Sequence, residues 1–134
     1  MKNKEIIIGN DLIAKWLFPD IQKEIDAKDV KVEPLMWVKA CLITHTPENL
    51  DFHTNWNTLI PVVEKIESMY KGIAFSVQIE KRLCKINQNT QHWMAFRDTI
   101  DLPEIWFREE TKIKSVWLAV IEFIKFDNRK ESNL

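Results

Sequence analysis

Histidine and acidic residues around one predicted helix are the side chains of this sequence that could perform catalysis. Asp51 and His53 stand just before that helix, where a carboxylate and an imidazole could work as an acid–base pair. Glu67 falls on the apolar side of the same helix, and buried carboxylates occur at catalytic sites. The alternative for Glu67 is a surface carboxylate that reaches solvent. We favour a packing role for this segment and assign no catalytic residue.

The three histidines, His45, His53 and His92, could instead bind a metal together with Asp51 or Cys41. Zinc sites place their ligands at recognisable spacings, such as two histidines four residues apart on a helix. No histidine pair here has such a spacing, so we predict neither a metal site nor a cofactor. His53 remains of interest, because the positive end of a helix would lower its pKa if the ring is buried.

Basic and aromatic residues in the second half of the chain form another candidate site. Proteins bind single-stranded nucleic acid with cations that contact phosphates and aromatic rings that stack on bases. The candidate nucleic-acid-binding residues are Lys85, Trp93, Arg97, Trp106 and Arg108. Alternation along predicted strands could bring them to one solvent face. Glu80 and Asp98 would weaken the positive field there, and a solvated surface of mixed charge is the alternative.

Two amphipathic helices are predicted to position these residues. The first covers 55–70, with apolar residues at helical spacing along one side. Pro61 should kink or restart it, because proline cannot donate to the carbonyl four residues back. The second covers 111–126, is capped by Thr111 and is apolar over about half its circumference. The polar tail over 128–134 should fray.

Alternating and apolar runs predict an antiparallel sheet of three to five strands, and with it an α+β fold. The candidate strands cover 29–33, 35–43, 73–80, 83–88, 92–96 and 104–108. The run over 35–43 is almost continuously apolar, which suits a strand buried on both faces, and a buried helix is the alternative. Short helices precede the sheet, one capped by Asn10 or Asp11 and another over 20–28.

Length and composition indicate a single soluble domain over residues 1–134. Hydrophobic residues make up 46% and charged residues 29%, which is ordinary for a globular protein. The net charge of −1 gives no overall attraction to nucleic acid or anionic membranes. Cys41 and Cys84 lie in apolar runs, as buried reduced thiols do. Without a secretory signal or a membrane-spanning apolar run, we expect a cytoplasmic protein.

Two helix motifs resemble a known group of proteins. They are His53-Thr-Asn-Trp56 followed by Leu59-Ile-Pro-Val-Val-Glu-Lys-Ile-Glu67, and Thr111-Lys-Ile-Lys-Ser-Val-Trp-Leu-Ala-Val-Ile-Glu-Phe-Ile-Lys125. With Asn10-Asp-Leu-Ile-Ala-Lys-Trp-Leu17, they resemble small bacterial and prophage proteins similar to the phage ABA-sandwich domain. The capping box of that group is absent here, since Lys114 stands at its acidic position. The resemblance implies a sheet with helices packed on it and brings no catalytic or ligand-binding residue.

The favoured function is therefore a non-enzymatic accessory or interaction protein of a phage or other mobile element. Its partner would be another protein or a second copy of the chain, contacted through Leu118, Phe126 or the 19–50 segment. A nucleic-acid-binding accessory protein that uses the basic and aromatic sheet face is the alternative. A small hydrolase around Asp51, His53 and Glu67 is the second alternative. No membrane partner is expected.

Overall fold

A computed structural model describes residues 3–28, 35–69, 73–90 and 103–132 of the chain. Within these ranges it has an α+β fold, in which helices pack on a three-stranded antiparallel sheet. The helices are α1 (Asn3–Leu17), α2 (Ile21–Asp26), α3 (Met36–Ile43), α4 (Trp56–Ser68) and α5 (Lys112–Ser132), with a 3₁₀ turn at Pro47–Asn49. The strands are β1 (Ile73–Glu80), β2 (Leu83–Thr90) and β3 (Ile105–Arg108). The predicted fold class is confirmed.

The strand β2 lies at the centre of the sheet, and both its neighbours run antiparallel to it. Lys81 and Arg82 alone connect β1 to β2. Lys81 has a φ of 54°, the positive value that two-residue hairpins require at their first position. Because side chains alternate between the two faces, Phe75 and Ile86 point to the same side and are buried. We call this side the inner face.

Helix α4 packs on β1 and begins at a polar turn. The Asn55 side chain accepts a hydrogen bond from the Asn57 N–H at 2.9 Å, which caps the helix. We predicted a kink or a restart at Pro61, and the helix does not restart there: α4 runs through this residue although proline offers no N–H to the turn before it. Glu67 is exposed near the far end of α4, so it is the surface carboxylate of the alternative interpretation.

Helix α5 packs on β2 and β3 from the inner face. Its cap is the predicted one, since the Lys114 N–H donates to Thr111 Oγ1 at 3.2 Å. Ser115, a polar residue in the first turns of α5, is fully buried. Its hydroxyl donates to the Arg82 carbonyl and accepts from the Glu109 N–H, so it ties the start of α5 to the hairpin turn.

The end of α5 differs from the prediction of a helix to residue 126 and a frayed tail over 128–134. The helix continues to Ser132. Asp127 is buried and accepts a hydrogen bond from the Trp16 indole N–H at 2.9 Å. A long-range partner therefore holds this polar residue in the packed part of the helix, which local polarity alone did not indicate.

The start of α1 was also predicted wrongly. The helix begins at Asn3, and Asn10 is a buried residue in its middle rather than its cap. α1 packs alongside α5 and runs parallel to it, since Asn10 bonds to Trp117 and Trp16 to Asp127. A Cβ on Gly9 would lie 2.5 Å from Trp117 Cζ2, so only glycine permits this close approach.

The apolar run over 35–43 forms the helix α3, from Met36 to Ile43, and not the predicted strand. A short apolar run has the same sequence pattern in a buried helix and in a buried strand. The helix brings Val38 and Cys41, three residues apart, to its buried side and leaves Trp37 exposed. Lys39 is also fully buried, with its ammonium 3.0 Å from the carboxylate of Glu24 in α2. This ion pair joins α2 to α3.

Two of the predicted strands, over 29–33 and 92–96, fall outside the described residues. Among the helices in the described ranges, none is both long enough and apolar enough to cross a bilayer. Within the same ranges, every buried side-chain nitrogen and oxygen atom has a hydrogen-bond partner. The buried polar side chains of these ranges are therefore hydrogen-bonded, as is usual in folded proteins.

Candidate functional site

The face of the sheet opposite the helices carries polar, charged and aromatic side chains, and we call it the outer face. Its members are Ser76, Gln78 and Glu80 of β1, Leu83, Lys85 and Asn87 of β2, and Trp106 and Arg108 of β3. In the register of the sheet, Lys85 stands directly opposite Trp106, while Arg108 stands opposite Leu83. Directly opposed side chains on a sheet have Cβ atoms about 5 Å apart. The three candidate residues are therefore immediate neighbours.

Trp106 is the most conspicuous residue of the outer face. Its side chain is 53% exposed, although tryptophan is normally one of the more buried residues. The exposed cations of Lys85 and Arg108 flank it, one across the strand pair and one along β3. Glu80 on β1 and Glu104 just before β3 are exposed acids on the border of this group. Trp93 and Arg97, the other two predicted binding residues, lie outside the described residues.

His53 belongs to a second group of polar residues, on the helical side of the molecule. We call Asn10, Leu50, His53 and Trp117 the His53 cluster. The Asn10 amide donates to the Leu50 carbonyl at 3.0 Å and to His53 Nδ1 at 2.9 Å, and its oxygen accepts from the Trp117 indole N–H at 2.8 Å. All the hydrogen-bonding capacity of the buried amide nitrogen is thereby used inside the cluster.

The Asn10 amide dictates the protonation state of the imidazole. The indole N–H of Trp117 can only donate and the Leu50 carbonyl can only accept, which fixes the orientation of the amide. Its NH₂ group then faces His53 Nδ1, so Nδ1 must be unprotonated and a neutral ring carries its proton on Nε2. A metal or a substrate proton at Nε2 would require the opposite tautomer. The cluster therefore opposes both roles for His53.

Burial lowers the pKa of His53 below its ordinary value of 6.5, and the nearby Asp51 carboxylate acts in the opposite direction. We predicted a lowered pKa for His53 but attributed it to the positive end of a helix. Burial of the side chain is the larger cause, ahead of any charge. Neutral His53 suits the hydrogen bond that it accepts from Asn10.

Asp51 works as a turn residue and not as the partner of a catalytic imidazole. One carboxylate oxygen accepts from the Asn55 amide at 2.9 Å and the other from the Thr58 hydroxyl at 3.1 Å. Glu67 lies eleven residues beyond Trp56 on α4, about 16 Å along the helix axis. The structure thus does not bring the three proposed hydrolase residues together in one cleft.

The cysteines do not offer a reactive group either. Burial raises the pKa of Cys84 to about 12, and burial is also the main cause that raises the pKa of Cys41. Cys41 lines a cavity of about 590 Å³ between α1, α2 and α3, where Asp11 and Lys15 already form an ion pair at 2.7 Å. Within the described ranges, no three histidine, cysteine or acidic residues are arranged to hold a metal ion.

Sequence reasoning missed the importance of Asn10. Once α1 is extended to Asn3, Asn10 falls on the same side as Ile6, Ile13 and Leu17, so a polar residue interrupts an apolar stripe. A buried asparagine with several partners is the expected explanation of such an interruption. That signal was hidden because Asn10 or Asp11 was predicted to cap the helix.

No family model matches this chain, and no curated protein or solved structure is significantly similar to it.

Proposed function

We propose that the protein is a small non-catalytic accessory protein, of the phage or mobile-element type, that binds single-stranded nucleic acid on the outer face of its sheet. The observation that supports this best is the position of Trp106, exposed and flanked by Lys85 and Arg108. An aromatic ring accepts a base by stacking, and adjacent cations attract the phosphates on either side. Trp106 would stack on a base while Lys85 and Arg108 contact the backbone.

The architecture behind the outer face favours a preorganised surface. α4 and α5 cover the inner face, where Phe75, Cys84 and Ile86 are buried. Antiparallel pairing holds Lys85 and Trp106 opposite each other, so binding does not have to assemble them from separate loops. An exposed ring on a rigid sheet can therefore stack on a base with little loss of conformational entropy.

Charge makes the predicted affinity modest. The chain carries a net charge of −1, and Glu80 and Glu104 border the binding face. Attraction to phosphates is then local to Lys85 and Arg108 and does not come from the whole protein. Single strands should be preferred over duplexes, because only unpaired bases offer an open face for stacking on Trp106.

The first experiment measures stacking. Fluorescence anisotropy with a labelled single-stranded oligonucleotide should give saturable binding at low salt. Trp106→Ala should raise the dissociation constant by roughly 5- to 150-fold, which corresponds to the 1–3 kcal/mol of one stacked base. Trp37→Ala is the matched control, since Trp37 is equally exposed but lies on α3. Loss of binding in both variants, or in neither, would contradict the proposal.

A second measurement tests the phosphate contacts. If Lys85 and Arg108 each neutralise one phosphate, the logarithm of the binding constant should fall with the logarithm of salt concentration with a slope of about −1.4. Lys85→Ala should reduce the steepness by about 0.7. Lys23→Ala is the control, because the Lys23 side chain is exposed and belongs to α2 and not to the sheet. An unchanged slope in Lys85→Ala would exclude Lys85 from the binding site.

A further inference from the structure

The exposed side of α5 carries charges of alternating sign around one apolar residue. Glu110, Lys114, Leu118, Glu122 and Lys125 follow one another at intervals of four, four, four and three residues. Helical geometry at this spacing keeps Lys114, Leu118, Glu122 and Lys125 within about 80° of arc. Glu110 precedes the helix, but its carboxylate lies 3.1 Å from the Lys114 ammonium and so belongs to the same surface. We call these five residues the α5 stripe.

An apolar groove of about 420 Å³ runs beside the α5 stripe, between α5 and α1. Its apolar lining includes Ile8 and Leu12 of α1 and Leu118 and Ile121 of α5. The Ile8 side chain is 58% exposed, an unusual position for isoleucine on a helix. Gly9 and Trp117 form the floor where the two helices approach most closely. A charged stripe thus borders exposed apolar surface.

The charges along the α5 stripe are ordered so that two antiparallel copies of the stripe place opposite charges against each other. If two copies of α5 lie antiparallel with a two-fold axis at Leu118, residues whose numbers add to 236 face each other. Lys114 then faces Glu122 of the second copy. Lys125 faces residue 111 of the second copy, with the carboxylate of its Glu110 one residue away. Both oppositely charged contacts occur twice because of the symmetry.

A parallel arrangement of the two copies would have the opposite result. It would bring Lys114 against Lys114 and Glu122 against Glu122, and like charges in direct opposition disfavour association. In each copy Lys114 is paired with Glu110 and Lys125 with Glu122, at 3.1 and 3.4 Å. The antiparallel arrangement extends these two ion pairs into networks across the axis without breaking either of them.

From this pattern we propose that the α5 stripe is a self-association surface, on which a second copy of this chain docks antiparallel about a two-fold axis at Leu118. Leu118 meets its own counterpart at the axis, and Ile8 adds apolar surface on each side. This inference is independent of the binding face on the sheet, because α5 presents its opposite side to the inner face of the sheet.

Mass measurement gives the first test. Light scattering or sedimentation equilibrium between about 10 μM and 1 mM should show a concentration-dependent rise from 16.0 kDa towards twice that mass. Leu118→Asp should raise the dissociation constant at least about 30-fold, as expected for a central contact. Trp37→Asp, an exposed position on α3, should leave association unchanged. A chain that stays at 16.0 kDa throughout overturns the proposal.

Charge reversal distinguishes this geometry from any other dimer. Lys114→Glu places two acids opposite each other, and Glu122→Lys places two lysines opposite each other. Each variant alone should associate about tenfold more weakly or worse, whereas an equimolar mixture should form a heterodimer as well as the wild type does. Failure of the mixture to associate, with both variants folded by circular dichroism, would overturn the antiparallel arrangement.

Cross-linking gives a readout that does not depend on weakened association. Leu118→Cys puts a thiol at the symmetry axis and should form a disulfide-linked dimer under mild oxidation. Ile60→Cys on α4 is the matched control and should stay monomeric, since Ile60 is exposed but not on the α5 stripe. The native thiols of Cys41 and Cys84 are buried and do not compete. Equal cross-linking of both variants would also contradict the proposal.

Discussion

The His53 cluster and the outer face of the sheet hold similar kinds of residue and use them in opposite ways. In the His53 cluster, the imidazole of His53 and the indole of Trp117 each hydrogen-bond to the Asn10 amide. On the outer face, the indole of Trp106 and the cations beside it are turned to solvent. A histidine next to an acid thus contributes to packing here, while an ordinary alternating strand presents the groups that can meet a ligand.

This difference has a simple physical origin. A buried polar group must be paired, and complete pairing leaves it nothing with which to bind a ligand. A solvent-facing group on a rigid strand keeps its capacity to bind a ligand, and it loses little conformational freedom when the ligand binds. The comparison predicts that substitutions in the His53 cluster change stability and those on the outer face change binding.

The largest effect is expected from Asn10→Ala. The substitution removes three hydrogen bonds and leaves the Trp117 indole N–H and the Leu50 carbonyl buried without their partner. We expect a loss of about 2–3 kcal/mol in the free energy of unfolding, measured by urea denaturation. Asn49→Ala, at an exposed position in the 3₁₀ turn, is the control and should change stability by less than about 0.5 kcal/mol. Equal effects at both positions would mean that the cluster is not a stabilising unit.

An intermediate effect is expected from acidification. The native state keeps His53 neutral below pH 6.5, the ordinary pKa, whereas the unfolded chain takes up a proton there. Unfolding therefore binds protons, and the contribution of His53 to stability is complete above pH 6.5 and is lost as pH falls below it. The free energy of unfolding should decrease between pH 7.5 and 5.5.

A histidine substitution assigns this pH dependence. His53→Gln should flatten the decrease between pH 7.5 and 5.5, because glutamine does not titrate. His45→Gln is the matched control for the replacement of a histidine by glutamine, since His45 is exposed in the turn after α3. Urea denaturation at several pH values supplies the data. An unchanged slope in His53→Gln would show that other groups cause the acid sensitivity.

The smallest effect on stability is expected from Lys85→Ala on the outer face. Lys85 is exposed, and its neighbours on both sides are the outer-face residues Gln78 and Trp106. The free energy of unfolding should change by no more than about 0.5 kcal/mol, although the same variant should bind single strands more weakly. A stability loss comparable with that of Asn10→Ala would remove the contrast between the two regions.

Local patterns predicted the elements that need only local information. The alternation over 73–80, and the helical stripes that precede and follow the strands in the sequence, were sufficient to predict β1, α4 and α5. The partner that holds Asp127 in the packed part of α5 is Trp16, 111 residues away, and a partner of the buried Asn10 in α1 is Trp117, 107 residues away. Pairings over such distances leave no local pattern in the sequence.

The candidate site was predictable to a similar degree. Alternation indicated that Lys85 and Trp106 could share a solvent face, but the register that sets them directly opposite each other comes from the folded sheet. The hypothesis of an acid–base pair at Asp51 and His53 rested on residue types alone. Residue types gave no indication that Asn55 and Thr58 would donate hydrogen bonds to the Asp51 carboxylate, or that Asn10 would donate one to His53.

The parallel pairing of α1 with α5 constrains how the chain folds during its synthesis. The hydrogen bond between Asn10 and Trp117 spans 107 residues, and the ribosome needs roughly 5–20 s to add that many. During that time the apolar side of α1, which includes Ile13 and Trp16, has been synthesised, but the helix α5 that covers it has not. Closing so long a loop is also entropically slow. The nascent chain therefore exposes the apolar side of α1 to solvent until α5 emerges.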